Sequence, residues 1–499
     1  MNMKIINFTN IKSLLFDHQT VRQTIFKNTF WLGLAEGISR AATFILFIYV
    51  ARILGATEYG KFSFVLAIIS LGSILPGFVS ADIITREFSQ EREKEKEFPD
   101  IFSLKILLGL TTIFLLLFLS FFVTQDIVIG KVLRILSIYW IFNSLLETFY
   151  AFFRARQRME YESFFKVLDA LLTASLGLFV IFKMPSIENL SYAYLAEGLI
   201  LLAILLLFFH FKVYRLRLSW NMVIWKKILS FSWPMALTGV IAGIYSQIDT
   251  FMMGSFGQLT QTGWYNAAFR ITRLVLVPMA LVSQSFYPVL SGLFMKQKND
   301  FQKIWNYQFK IMTILAIPLT IGGIVLAPRI IDFFYGKSYA SSVLAFQFLM
   351  VMTGIIFLYE GFRQTLIISH LQRKIFWIVL SGAAINIVLN FILIPKYSLN
   401  GAALATVATN VVIFSLFLKF TLKYTALNPF NPEISANLIR VLISGGIMYL
   451  TISRSFVYNL PVIVSILVGT IVYFTAFFLL SNFKSAFSSK GYFKRFHVV

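Results

Sequence analysis

The run ILLGLTTIFLLLFLSFFV, residues 106–123, decides the fold class. It carries no charge, and its few hydroxyls (Thr111, Thr112 and Ser120) can bond back to their own helix. Its length suits a helix crossing a hydrocarbon core of about 30 Å at about 1.5 Å per residue. Leu199–Phe211 reads the same way, almost purely aliphatic and aromatic. The pattern then extends over the whole chain. Of 499 residues, 58% are hydrophobic and only 13% are charged, about half the usual share of a globular protein. Mean hydropathy is +0.77. A water-soluble domain of this composition has no polar surface to show. A cytosolic enzyme, a secreted domain and a disordered chain are therefore excluded. There is no cysteine, so disulfides, thiolate metal sites and cysteine nucleophiles are excluded too.

The expected fold is an all-α polytopic membrane protein with about 14 spans. Apolar windows fall at 28–50, 61–83, 101–124, 132–153, 164–183, 191–211, 228–254, 263–290, 308–334, 342–369, 375–395, 400–420, 436–453 and 460–481. Residues 1–27 show no cleavable signal pattern and read as a cytoplasmic lead-in segment. Residues 483–499 read as a basic cytoplasmic tail.

Charge sets the orientation. The net charge is +22, from 44 Lys and Arg against 22 Asp and Glu. With the N-terminus inside, the inner segments hold 31 basic residues and the outer loops 9, while Arg40, Arg270, Arg273 and Arg363 lie within spans. Cytoplasmic loops collect Lys and Arg, so both termini are expected in the cytoplasm of a cell-membrane protein. The same bias, facing anionic lipid, accounts for the basic balance without nucleic acid. The longest hydrophilic stretch, Arg86–Asp100, alternates in sign and reads as a solvated helical face joining two spans.

A break in hydrophobicity over 214–227 divides six spans (28–213) from six more (228–424), with a final pair over 434–482. The halves share a faint echo. Gly55…Tyr59-Gly60 and Gly254…Gly263-Trp264-Tyr265 both turn the chain between the first two spans of their half. Two similar six-helix bundles suit alternating access.

Ionisable groups at mid-membrane depth are costly and mark partners or water-filled paths. Arg40 falls near the midplane of the first span, with Glu36 one turn earlier on the same face. Arg270 and Arg273 share a stripe of the eighth span. An anionic ligand accounts for these cations, because the guanidinium fork matches phosphate oxygens. Pairing with Glu36 or Asp249 is the other account, and the sequence does not say which of Arg270 and Arg273 would touch a substrate. Glu360 and Arg363 have the spacing of an intrahelical ion pair. Asn386 and Asn390 share a face; they suit interhelical hydrogen bonds and, with Glu36, are also candidates to line the substrate cavity beside the arginines. Asp249 and Glu360, with Glu36, are candidates for coupling to H+ or Na+; Glu147, Asp169 and Glu197 could serve as well. Pro234, after Trp233, is the hinge candidate. The four histidines are scattered, no phosphate-binding Gly-rich loop is present, and the expectation is no metal, no cofactor and no catalytic residue.

Several collinear patterns then resemble a known family: Asn28…Trp31…Arg40; Gly55…Glu58-Tyr59-Gly60; Ser230-Phe-Ser-Trp-Pro234; Asp249…Gly254; Gly263-Trp-Tyr265…Arg270; Tyr287-Pro288; Ile317-Pro318; Tyr335-Gly336; and Leu393-Ile-Pro395…Gly401-Ala-Ala403. Their order and spacing are similar to the polysaccharide biosynthesis proteins, the Wzx-type oligosaccharide flippases. That superfamily is shared with lipid II flippases and MATE multidrug exporters. The resemblance implies two six-helix lobes in a V around a central cavity, plus a C-terminal helix pair that can form a groove for a lipid tail. It implies flipping of an undecaprenyl-diphosphate-linked oligosaccharide to the outer leaflet, with membrane lipids, and a polymerase and glycosyltransferases of the same pathway, as partners. Cationic cavity residues hold the diphosphate and sugars in that family; by position Arg40 and Arg270 or Arg273 match. A MATE-type drug/cation antiporter is the alternative, but its cavity would be acidic. A membrane-embedded oligosaccharide polymerase or glycosyltransferase would want a large outer loop with carboxylates; residues 255–262 carry no charge.

Overall fold

The computed structural model describes residues 21–72, 74–90, 92–294, 298–425 and 427–481. Most of the lead-in segment and the basic tail lie outside these residues. Among the described residues all regular structure is helical. Eleven stretches among the described residues are long and apolar enough to cross a membrane.

The chain forms two compact units, residues 1–255 and 256–499. Unit 1 begins with α1 (Val21–Gly72), followed by α2 (Ile74–Gly77), α3 (Ala81–Gln90), a 3-10 turn (Arg92–Glu97) and α4 (Phe98–Leu119). It continues with α5 (Ile127–Ala155), α6 (Met159–Lys183), α7 (Ile187–Lys212) and α8 (Met222–Ser255). In this unit α1 packs along α6 and α8, and α5 packs on α7, α4 and α3. Helix α8 runs on through Pro234. Unit 2 holds α9 (Leu259–Val275), α10 (Val277–Phe294), α11 (Lys298–Val325), α12 (Ala327–Tyr335), α13 (Ser342–Ile368) and α14 (Gln372–Tyr424). It ends with α15 (Pro432–Ile452), α16 (Ser455–Tyr458) and α17 (Val462–Leu480). There α13 packs on α14 and α11, and α15 on α17 and α11.

Two helices are too long for one crossing, and each is broken where the sequence allows it. Helix α1 has 52 residues, roughly 78 Å at 1.5 Å per residue, over twice the hydrocarbon thickness. It breaks at Gly55 (φ 77°, ψ 173°), a conformation open essentially to glycine alone. Helix α14 breaks at Ser398 (φ 53°, ψ −131°), after Pro395. Beyond that break the chain passes so close to itself that a Cβ on Gly401 would lie 2.3 Å from the Leu393 carbonyl oxygen. The expected eighth span is one apolar stretch made of two helices, α9 and α10, because Pro278 follows directly on Leu276 and Val277 and cannot donate to the preceding turn.

Aromatic side chains fill the core of unit 1. Phe98 lies 4.9 Å from Phe152, 5.1 Å from Phe209 and 5.9 Å from Phe149, ring centre to ring centre. Trp225 Nε1 donates to the Asp100 carbonyl over 2.9 Å, fixing the start of α8 to α4. The acidic and basic run before α4 is partly docked rather than wholly solvated. Glu95 pairs with Arg156 at 2.6 Å and Glu97 with Lys227 at 3.5 Å. In unit 2, Arg329 holds Ser465 and the Leu460 carbonyl, so α12 fixes the turn that joins the terminal helix pair.

At the opposite end of unit 1, Asp126 caps α5. It accepts from the Val128 and Ile129 amides at 2.8 and 3.3 Å and pairs with Lys61 at 3.0 Å. Burial pushes its acidity one way, but the Lys61 ammonium and the two amides outweigh it and hold the carboxyl below the ordinary 3.8. The stabilisation is therefore complete above that ordinary value and is lost as pH falls through the depressed one. Asp126→Asn should flatten the acid limb of a Tm-against-pH curve; an unchanged acid limb would refute the assignment. Gly401→Ala should destabilise unit 2 by about 1–3 kcal/mol through overpacking against immovable backbone, read as a lower Tm in detergent. An unchanged Tm would mean that the close approach is dispensable.

Candidate functional site: charged and polar groups within the spanning helices

A charge inside a membrane helix must find a partner, backbone oxygens or water. The structure sorts the charged residues by which of these each one has.

Several are satisfied inside their unit. Lys105, 6% exposed, donates to the Pro76 and Val79 carbonyls at 2.7 Å each. Both oxygens lie where the chain turns between α2 and α3, and the Pro76 oxygen also takes the Val79 amide at 3.2 Å, so the buried ammonium ties that turn to α4. Glu162, wholly buried, takes Arg154 at 2.5 Å and Lys166 at 3.0 Å. Nothing in the sequence spacing of Lys105 flags its role, because its acceptors are backbone atoms nearly 30 residues away.

Glu360 and Arg363 form the expected pair on α13, with Nε and Nη2 of Arg363 donating at 2.7 and 2.6 Å. Glu360 also accepts from Ser283 Oγ on α10 at 2.7 Å. Gln364 donates to the Ser283 carbonyl at 2.7 Å and accepts from Gln308 of α11 at 2.6 Å. A polar network thus ties three helices together inside unit 2. Glu360 is an occupied acceptor within it. Sequence reasoning missed Ser283, Gln308 and Gln364, since uncharged polar residues on apolar helices look like ordinary packing.

Asn386 and Asn390 on α14 are fully buried, and Asn390 Nδ2 donates to Asn386 Oδ1 at 3.1 Å. Their bond runs along one helix. Asn386 Nδ2 finds no acceptor among the described residues. Asp249 on α8 is 8% exposed.

The arginines singled out for an anion are placed differently. Arg40 lies about 15 Å along the span that opens at Phe30, at 1.5 Å per residue. Its Nε donates to Glu36 Oε1 at 2.7 Å, yet the side chain remains 47% exposed. Glu36 takes the Nε–H, which leaves the terminal nitrogens of the fork for a second acceptor. Arg273 is exposed and stacks over the Phe269 ring at 4.7 Å. It stands in the last turn of α9, where the helix C-terminus favours a cation. Arg270 is half-buried on the same helix. Arg40 belongs to unit 1; Arg270 and Arg273 belong to unit 2.

The fold is one found among membrane lipid flippases. A solved structure of the lipid II flippase MurJ, in an inward closed conformation, matches with a TM-score of 0.74 at 18% identity, covering 89% of this chain and 97% of that one. The family model described as polysaccharide biosynthesis protein matches residues 25–294, more than half of the sequence, and the chain belongs to that family. Among curated relatives, the probable flippase AglR of Haloferax volcanii is 27% identical over 380 residues, covering 72% of this chain and 76% of its own length. The capsular polysaccharide biosynthesis protein CapF of Staphylococcus aureus is 23% identical over 411 residues, 78% of this chain and 98% of its own.

Arg363→Ala strips two donors from a carboxylate that is 4% exposed. The expected cost is about 1–3 kcal/mol, the penalty of an unsatisfied buried acceptor. Adding Glu360→Gln should restore part of the Tm. A double variant no better than the single would show that the network is not held by this charge pair.

Proposed function

We propose that this protein is a flippase. It carries a polyprenyl-diphosphate-linked oligosaccharide, of the undecaprenyl type, from the inner to the outer leaflet of the cytoplasmic membrane by alternating access. The product feeds a cell-surface polysaccharide such as O-antigen, capsule or exopolysaccharide. Family membership supports the glycan side of this reading, and the curated relative named a probable flippase supports the transport side. Both termini lie in the cytoplasm, and a polymerase and glycosyltransferases of the same pathway supply and consume the glycan. We count each broken helix, α1 and α14, as two crossings, and α8, with 34 residues, as one more, which supports the 14-span plan.

The observation that carries the reading is Arg40: a guanidinium deep in a span and still 47% exposed. Exposure of that charge to acyl chains would cost several kcal/mol. Water in a transport path removes that cost, and a diphosphate gives the fork two oxygens to grip. Arg273, in unit 2, is exposed beside a helix end and is a second candidate cation for the diphosphate. In the mechanism, Arg40 and Arg273 take the diphosphate, the sugars follow it through the wet path, and the polyprenyl chain stays in lipid. Closure on the inside and opening on the outside then release the head group. A proton or sodium gradient supplies the direction.

Arg40→Ala and Arg273→Ala should each slow flipping of a fluorescent lipid-linked sugar diphosphate in proteoliposomes about ten- to a hundredfold, the equivalent of one lost charge-assisted contact of 1.5–3 kcal/mol. Lys at either site should keep part of the rate. Full activity of both Ala variants at normal reconstitution would overturn the anion path.

A further inference from the structure

Unit 1 contains a buried carboxyl that is poorly satisfied among the described residues. Glu197, near the middle of α7, is 0% exposed. Among the described residues neither of its carboxylate oxygens has a well-formed hydrogen bond, and the donor beside it is the Thr173 hydroxyl, which Asp169 shares. Asp169 on α6 faces it within hydrogen-bonding range, but two carboxylates offer each other only acceptors. Asp169 itself is half-buried and receives Thr173 Oγ1 at 3.4 Å.

The neighbours do not neutralise the pair. From α5, Tyr139, Glu147 and Tyr150 come within electrostatic reach of it. From α6, Lys166 reaches Asp169, but its ammonium is already held by Glu162 at 3.0 Å and lies over the Tyr150 ring at 5.6 Å. From α7, Tyr194 packs edge-on to Tyr139 at 5.3 Å. Helix α1 brings Phe62 against Tyr194 and Leu46 against Gly177. A second orphan stands beside the pair. The Tyr150 hydroxyl, on a side chain only 2% exposed, senses Glu147, Asp169 and Glu197 and has no hydrogen-bond partner among the described residues.

The single Thr173 hydroxyl cannot serve both carboxyls, and what the pair lacks is a donor between them. One proton supplies it: an O–H bond forms on one carboxyl, which then donates to the other, and the pair falls from two buried charges to one. Among the described residues no third His, Cys, Asp or Glu joins the pair in a group of the kind that holds a metal ion. We propose that the Asp169–Glu197 pair is a proton-binding site within unit 1. Asp169 is its half-exposed entry and Glu197 its buried seat, with the Tyr150 hydroxyl beside them. The coupling of that proton to head-group transfer rests on the flippase reading; the binding of the proton does not.

The test uses the full chain in lipid nanodiscs and in proteoliposomes. Infrared difference spectra between acid and alkaline buffers should show a protonated-carboxyl band that titrates reversibly. Glu197→Gln should remove it, and Asp169→Asn should shift its midpoint while retaining it. An imposed proton gradient should speed flipping in wild type, while Glu197→Gln flips at the gradient-free rate with or without the gradient. A band that persists in Glu197→Gln, or that Na+ at constant pH abolishes, would overturn the proposal. The Asp169→Asn variant and size-exclusion profiles separate that result from misfolding. A wild type with the titrating band but no flipping would sink the flippase reading and leave the proton site standing.

Discussion

The structure depends on how each charge inside an apolar helix is satisfied. Desolvating an ion costs several kcal/mol, far more than any single packing contact can return. Each solution here is different. Lys105 takes two backbone oxygens at a helix break. Glu162 collects two cations. Glu360 combines an arginine with a serine. The same rule makes Arg40 informative. Its carboxylate partner Glu36 is 54% exposed, so the pair is not sealed in a core, and the guanidinium remains open at mid-span depth.

These fixed charges also divide rigid parts from parts that can respond. The Ser283–Glu360–Gln364–Gln308 network ties its helices by paired side chains, although Gln308 Oε1 is left over, and the aromatic core around Phe98 is held by ring packing. Among the described residues Asn386 Nδ2 has no acceptor, and buried Glu197 faces a second carboxyl. A transporter needs both kinds of site. Closed networks let a helix bundle move as a body, and open ones let a bound ion or substrate bias one state over another.

Much of the fold was legible because hydropathy is a local property. Ile106–Val123 falls within the apolar stretch Glu95–Leu119 and the turn that follows it. The glycines in the quoted motifs also had local reasons: Gly55 and Gly336 take left-handed φ of 77° and 83°, and Gly401 meets the Leu393 carbonyl. The Glu360–Arg363 pair followed from helical spacing alone. Other features were hidden because they join distant positions without a period. Lys105 reaches carbonyls on another element, Ser283 meets Glu360 across 77 residues, and Asp169 meets Glu197 only once α6 and α7 pack. The break after Arg273 was also hidden: Pro278 is visible, but Pro288 and Pro318 lie inside unbroken helices, so proline alone does not locate a break.

The central claim is that mid-span arginines face water and hold a diphosphate. The chain has no cysteine, so a single thiol at either site needs no background removed. Arg40→Cys and Arg273→Cys, in otherwise native protein, should react with a membrane-impermeant charged thiol reagent, and a diphosphate-linked polyprenyl glycan should slow that reaction. If both thiols react only with lipid-soluble reagents, the side chains face acyl chains and the account is contradicted.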